Sequence, residues 1–187
     1  TIGFSGGEPT GVVIVDPKSG EIKDYDIGEI PSWVDRVYPM SFVKKQINEW
    51  GRLAPDGWWN PSDKGKLKLS TNITMVYDEQ GNCYYYSGLT SYGSDNTSVG
   101  FILVDTRTKE VTFYKNKGIV ELAARQKAEG AYQNYNYTAT EPRFYNLNGV
   151  YTYAVGLKGK DGLVNKYSFI SYQNQKIIGT GDNPKTA

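Results

Sequence analysis

One turn, written three times, constrains this chain more than anything in its composition. Ile14-Val15-Asp16-Pro17-Lys18-Ser19-Gly20-Glu21-Ile22, Leu103-Val104-Asp105-Thr106-Arg107-Thr108-Lys109-Glu110-Val111 and Phe169-Ile170-Ser171-Tyr172-Gln173-Asn174-Gln175-Lys176-Ile177 share one grammar. Each has an apolar β-run, a turn opened by Asp or Ser, a small polar residue three positions later, and a returning β-run. An Asp or Ser side chain bonds the backbone two residues on, and Gly, Asn or a long polar residue then takes the left-handed corner. Asp16 and Asp105 are therefore read as hairpin turn formers.

The likeness extends upstream. Tyr77-Asp78-Glu79-Gln80-Gly81-Asn82-Cys83-Tyr84-Tyr85-Tyr86 aligns with Tyr145-Asn146-Leu147-Asn148-Gly149-Val150-Tyr151-Thr152-Tyr153 once one turn residue is skipped, and Gly88-Leu89 with Gly156-Leu157. Asn148-Gly149 between alternating apolar runs is a strong hairpin signal. A helical stretch precedes each strand set. Ser41 is placed to cap Phe42, Val43, Ile47 and Trp50, and a weaker, Ala-rich pattern uses Ile119, Leu122, Ala123, Gln126 and Gly130. The fold expected is α+β: tandem repeats of one helix packed on a roughly four-stranded antiparallel sheet. Residues 1–30 hold the closing strands of a preceding partial unit, 31–117 form the first unit and 118–187 the second.

Asp16 lies 89 residues before Asp105, but Asp105 only 66 before Ser171. Most of the difference is an insertion at 51–70, which carries Pro, Gly, several Lys and the adjacent pair Trp58-Trp59. Long irregular loops in compact domains are functional or disordered, and paired Trp argues against disorder.

Composition removes several chemistries. The 187 residues include no His and one Cys, so His-based triads, Cys/His metal sites and a disulfide scaffold are excluded. No apolar run approaches the roughly 20 residues that span a bilayer. The opening Thr-Ile-Gly-Phe-Ser lacks an initiator Met and a basic leader, and reads as a fragment of something longer.

The pattern apolar-Val-Asp-x-x-[Ser/Thr]-[Gly/Lys]-Glu-[Ile/Val], carried by Val13–Ile22 and Phe101–Val111 with a degenerate copy at Lys166–Ile178, resembles the PepSY module of bacterial envelope proteins. Ser171 in place of Asp and the Trp insertion depart from it. The layout of helix plus sheet, twice, also looks like the β-lactamase inhibitory protein fold, whose concave sheet binds a protein. The resemblance implies a non-catalytic, inhibitory or regulatory module outside the cytoplasmic membrane. Its partner would be a protein or other domains of the parent chain, with membrane proximity supplied by a segment beyond this sequence and no cofactor.

Six aromatic side chains are the binding candidates. Trp58 and Trp59 suit an anchor for a protein, peptide or glycan, or else cover the helix at 41–50 or close the sheet edge. Tyr84 and Tyr86 share one strand face, and Tyr151 and Tyr153 share another, because strand side chains alternate. Such Tyr-lined faces suit adaptable recognition as well as ordinary sheet packing. Cys83 reads as a small hydrophobe on a strand, opposite Val150 in the other copy.

Lys44, Lys45, Arg52, Lys64, Lys66 and Lys68 with the Trp pair form a basic-aromatic cluster, but a pI near 7.6 argues for a solvated face, or attraction to an anionic envelope surface, rather than nucleic-acid binding. Asp24, Asp26 and Glu29 offer oxygen ligands without an EF-hand spacing. Asn72, Asn96 and Asn136 lie in glycosylation sequons, which count only in a eukaryotic secretory host. The function expected is a binding or regulatory module. A wall-polymer hydrolase with paired carboxylates and a structural spacer are the alternatives.

Overall fold

The structure is a computed structural model that describes residues 7–53, 65–92 and 97–187. It is α+β, with antiparallel sheets of two to five strands and two helices. Strands β1 (Gly11–Val15) and β2 (Ile22–Asp26) form a hairpin in which Val15 faces Ile22. Asp16 makes the turn as its chemistry demands: its carboxylate accepts from Lys18 N at 2.7 Å, and Gly20 takes the left-handed corner at φ 73°. Asp105 acts alike, accepting from Arg107 N (2.8 Å) and Thr108 N (2.7 Å), with Lys109 at φ 63°. At Ser171 the hydroxyl accepts from Asn174 N, and the closing bond runs to Ile177 O, one residue farther on than in the other two turns.

Residues 30–38 connect this hairpin to the rest and are tied down by the Asp105 turn. The Arg107 guanidinium donates to the carbonyls of Ile30, Pro31 and Val34 at 2.8, 2.9 and 2.7 Å. Thr106 O accepts from Val37 N and Tyr38 N.

Helix α1 (Met40–Leu53) follows Pro39, whose carbonyl accepts from Phe42 N and Val43 N. Ser41 thus lies inside the first turn rather than capping it. Pro39 supplies the start, since its fixed φ suits the entry to a helix. Val43 and Ile47 bury one face of α1 on a sheet of β3 (Leu67–Leu69), β4 (Thr74–Tyr77), β5 (Cys83–Ser91), β7 (Gly100–Asp105) and β8 (Val111–Tyr114). The order is β3-β5-β7-β8, with β4 continuing the β3 side of β5. Tyr85, Leu89, Ile102 and Val104 meet the helix, each apolar side chain of that size giving about 1.5–3 kcal/mol on burial. The helix reaches β3 so closely that a Cβ on Gly51 would stand 2.3 Å from Leu67 O. The ends of the 51–70 stretch therefore belong to α1 and β3, while its 54–64 centre lies outside the described residues.

Short strands β6 (Thr97–Ser98) and β9 (Gly118–Ile119) pair and lead into helix α2 (Glu121–Gly130). A single 3-10 turn (Gln133–Tyr135) precedes the second large sheet: β10 (Thr138–Ala139), β11 (Arg143–Leu147), β12 (Val150–Lys158), β13 (Val164–Ser171) and β14 (Ile178–Gly181). Its order, β10-β12-β13-β14 with β11 on the β10 side of β12, parallels the first. The buried residues of α2 are Glu121, Ala123, Ala124 and Ala128, whereas Leu122 and Gln126 are exposed. The packed face is the alanine face, because small side chains let the helix sit close to Val155, Leu157 and Ile170.

The two sheets meet directly. Tyr86 and Phe101, on the face of the first sheet that points away from α1, enter a cluster with Phe144, Tyr153 and Tyr172 of the second half. Tyr86 stacks on Phe144 at 4.4 Å between centroids, and Phe101 meets Tyr172 edge-on at 5.8 Å. Such ring pairs contribute roughly 0.5–1.5 kcal/mol beyond area burial. One core thus runs from α2 through both sheets.

Candidate functional site

Where the two sheets diverge from this shared core they leave a cleft of about 800 Å³. Strand alternation builds its walls. Tyr84, Leu103, Thr112 and Tyr114 lie on the β5–β7–β8 face that Tyr86 and Phe101 also occupy, and Phe144, Asn146 and Tyr151 come from β11 and β12. Phe101 and Phe144 form its floor. Phe101 stacks on Tyr114 (4.7 Å) and meets Tyr151 edge-on (5.0 Å), while Phe144 stacks on Tyr151 (5.6 Å). The turn Asp78–Gln80 and the side chains of Arg143 and Tyr145 make the rim.

The rim carries opposite charges. Asp78 accepts from Asn82, both side chain and backbone, from Gln80 N and from Tyr84 OH at 3.3 Å. Those bonds, the Asn82 side chain first, hold its carboxyl below the usual range. The Tyr84 hydroxyl is raised, by partial burial first and then by the Asp78 and Asp105 charges. Arg143, exposed, lines the same cleft. Aromatic faces, phenol tips and both signs of charge equip the cleft to hold a polypeptide segment.

The four tyrosines singled out in the sequence separate here. Tyr84 and Tyr151 line the cleft and are half-buried. Tyr86 and Tyr153 are withdrawn from solvent, at 2% and 0% exposure, with their hydroxyls 2.9 Å apart. They cannot present a surface, which corrects the reading of two Tyr-lined faces. Alternation tells which residues share a face but not what covers it. Trp58 and Trp59 lie outside the described residues. Cys83 is buried, as a small hydrophobe on β5. Cys83 O accepts from Thr106 N, and in the other half the like bond is made by Tyr151 O, from Tyr172 N, rather than by Val150.

A second polar feature escaped the sequence. Glu121, 4% exposed at the start of α2, accepts from Gly88 N at 3.1 Å and from the Ser70 hydroxyl. A carboxyl in a helix's first turn also meets the positive end of the helix dipole. Its only sequence signal was an acidic residue directly before an Ala-rich run. Among the described residues no three His, Cys, Asp or Glu side chains are grouped to hold a metal ion, and no helix is long and apolar enough to cross a membrane. Lys44 bonds Asn72, and Lys68 lies over the Tyr92 ring.

Comparison of the chain with protein-family models, with curated proteins and with solved structures found no match.

Proposed function

We propose that this chain is a non-catalytic binding module for a protein partner, recognised as an extended segment in the cleft between the two sheets. The observation that carries the reading is the cleft itself: about 800 Å³, floored by Phe101 and Phe144, walled by Tyr84, Tyr114 and Tyr151, and rimmed by Asp78 and Arg143. Aromatic and Arg side chains dominate the energetics of protein recognition. The edge strand β4 beside it offers backbone groups for pairing with a guest strand.

We further read the molecule as a duplicated helix-plus-sheet unit of the PepSY kind that works outside the cytoplasmic membrane. The shared strand order supports the duplication, as do matched backbone bonds: Ser70 N to Gly88 O (2.9 Å) beside Thr140 N to Gly156 O (2.8 Å). The envelope setting rests on the turn motif around Asp16 and Asp105.

Selection from a displayed library of random peptides tests the binding reading. Enriched peptides should lose affinity by roughly tenfold or more with Tyr84→Ala or Tyr151→Ala, measured at a temperature where each variant is fully folded. Peptides indifferent to both substitutions, or no enrichment at all, would overturn it and favour a spacer.

A further inference from the structure

The Ser70–Gly88 pair that grips Glu121 has a counterpart that grips no side-chain carboxyl, its hydroxyl donating instead to the neighbouring Glu141 O at 3.4 Å. On the second sheet, Gly156 N donates to Thr140 Oγ1 at 3.0 Å, and Thr140 N donates to Gly156 O at 2.8 Å. These are the positions that Gly88 and Ser70 occupy on the first sheet, where the same amide and hydroxyl instead both donate to the carboxyl of the following helix. One notch holds an acid; the other has closed on itself.

The surroundings differ in the same sense. On the first sheet, the face that bears Gly88 is covered by the rings of the second half and by the start of α2. On the second, the corresponding face opens into a groove of about 580 Å³ lined by Tyr145, Ala154, Gly156, Tyr167 and Phe169, with Thr140 in its wall. Arg143 stands at the rim with its positive charge. Glu141, also at the groove, is paired with Arg125 at 3.0 Å, so its charge is already answered.

We propose that this outer face receives an α-helix of a partner protein whose first turn carries a carboxylate, seated on Gly156 N and the Thr140 hydroxyl as Glu121 is seated on Gly88 N and Ser70. The proposal rests on the reading of the chain as a duplicated unit. Chemistry selects the occupant. An amide and a hydroxyl side by side are two donors for one acidic oxygen pair, and Arg143 adds long-range attraction to an acidic helix start. The flanking groove is apolar, and Ala154 leaves room where the first sheet carries Tyr86. A second copy of this chain fits poorly. Its Glu121 is buried against its own first sheet, and α1 has no acidic residue in its first turn while exposing Lys44 and Lys45.

The probe is a stapled helix of residues 117–133, bridged between positions 126 and 130, which are exposed in α2. It would be titrated into the isotope-labelled protein beside its Glu121→Gln form. The acidic peptide should move the Gly156 and Thr140 amide resonances saturably, and the Gln form should bind about tenfold more weakly or worse. Phe169→Arg and Thr140→Val in the protein should each remove the response, the second without touching the groove floor.

An unmoved Gly156, equal binding by both peptides, or binding indifferent to both variants overturns the proposal. Glu121→Gln in the protein reads the premise separately. If Gly88 does not respond, the first notch is no carboxyl site and the duplication argument falls with it. If Gly88 responds while the peptide leaves Gly156 unmoved, only the docking proposal falls.

Discussion

The hydroxyls of Tyr86 and Tyr153 lie 2.9 Å apart in the interior, each on a different sheet, and Tyr153 also donates to Ile119 O at 3.4 Å. With Tyr153 committed as a donor, Tyr86 donates to Tyr153, and the pair forms a short polar chain across the junction of the sheets. Tyr153→Phe strands the Tyr86 hydroxyl among apolar neighbours and should cost about 1–3 kcal/mol. Tyr86→Phe should cost less, and the double variant clearly less than the sum of the singles. Denaturant unfolding of the four proteins gives the cycle; strict additivity would show that the bond carries no weight.

Alkali should find the same place. Burial raises the phenols of Tyr86, Tyr153 and Tyr172 above the ordinary value, Tyr172 to about 12. In the unfolded chain tyrosines lose their protons near 10, so above that pH the folded state binds more protons than the unfolded. Stability is therefore full below about pH 10 and falls as pH rises toward 12. In an absorbance titration, Tyr86, Tyr153 and Tyr172 at least, among the 16 tyrosines, should ionise only with the loss of near-ultraviolet dichroism. Smooth ionisation of all of them near pH 10 with the fold intact would contradict the burial.

Glu121 pins the start of α2 to the first sheet. Glu121→Ala leaves Gly88 N and the Ser70 hydroxyl without their acceptor and should lower stability by about 1–3 kcal/mol. Ser70→Ala should cost less, and Ser70→Ala added to Glu121→Ala little more than the latter alone. Independent effects in guanidinium titrations would sever the proposed link.

Two glycines distinguish tight packing from open space. A Cβ on Gly118 would stand 2.4–2.6 Å from three ring atoms of Tyr172, whose hydroxyl is held by bonds to Ser98 Oγ (2.9 Å) and Asn116 O (2.7 Å). The ring has nowhere to go, so Gly118→Ala should destabilise by about 1–3 kcal/mol. Gly130→Ala, with nothing within 4 Å, should be neutral or stabilising by up to about 1 kcal/mol. Comparable melting temperatures for the two variants would refute the close approach.

What the sequence made legible was local. The turns at Asp16 and Asp105 depend on side chains bonding backbone within three residues, so their chemistry could be read from the letters alone. The α+β class followed from the same turns and from helical spacing around Val43 and Ile47. Apart from the start of α1, which Pro39 rather than Ser41 sets, and the one-residue slip that paired Cys83 with Val150, the failures were questions of what covers a face. By hydrophobicity Leu122 reads as a core residue, but it is exposed and α2 packs through Ala123, Ala124 and Ala128. Tyr84 and Tyr86 share a face, yet only one is within reach of solvent, because the second half of the chain lies over the other. Phe101, Phe144 and Arg143 of the cleft come from strands far apart in sequence and have no local signature.

The three carbonyls that receive the Arg107 guanidinium belong to the backbone of Ile30, Pro31 and Val34. Backbone acceptors are present whatever side chain stands there. Mutational drift at the exposed positions 32 and 33 should therefore be forgiven so long as the path of the chain is kept, whereas Ile30 is buried. A change at the single position 107 would release all three grips at once, leaving the connector held only farther on, where Thr106 bonds Asp35 O, Val37 N and Tyr38 N. For the backbone of residues 30–34 the cost of error is concentrated in one residue that lies more than seventy positions away.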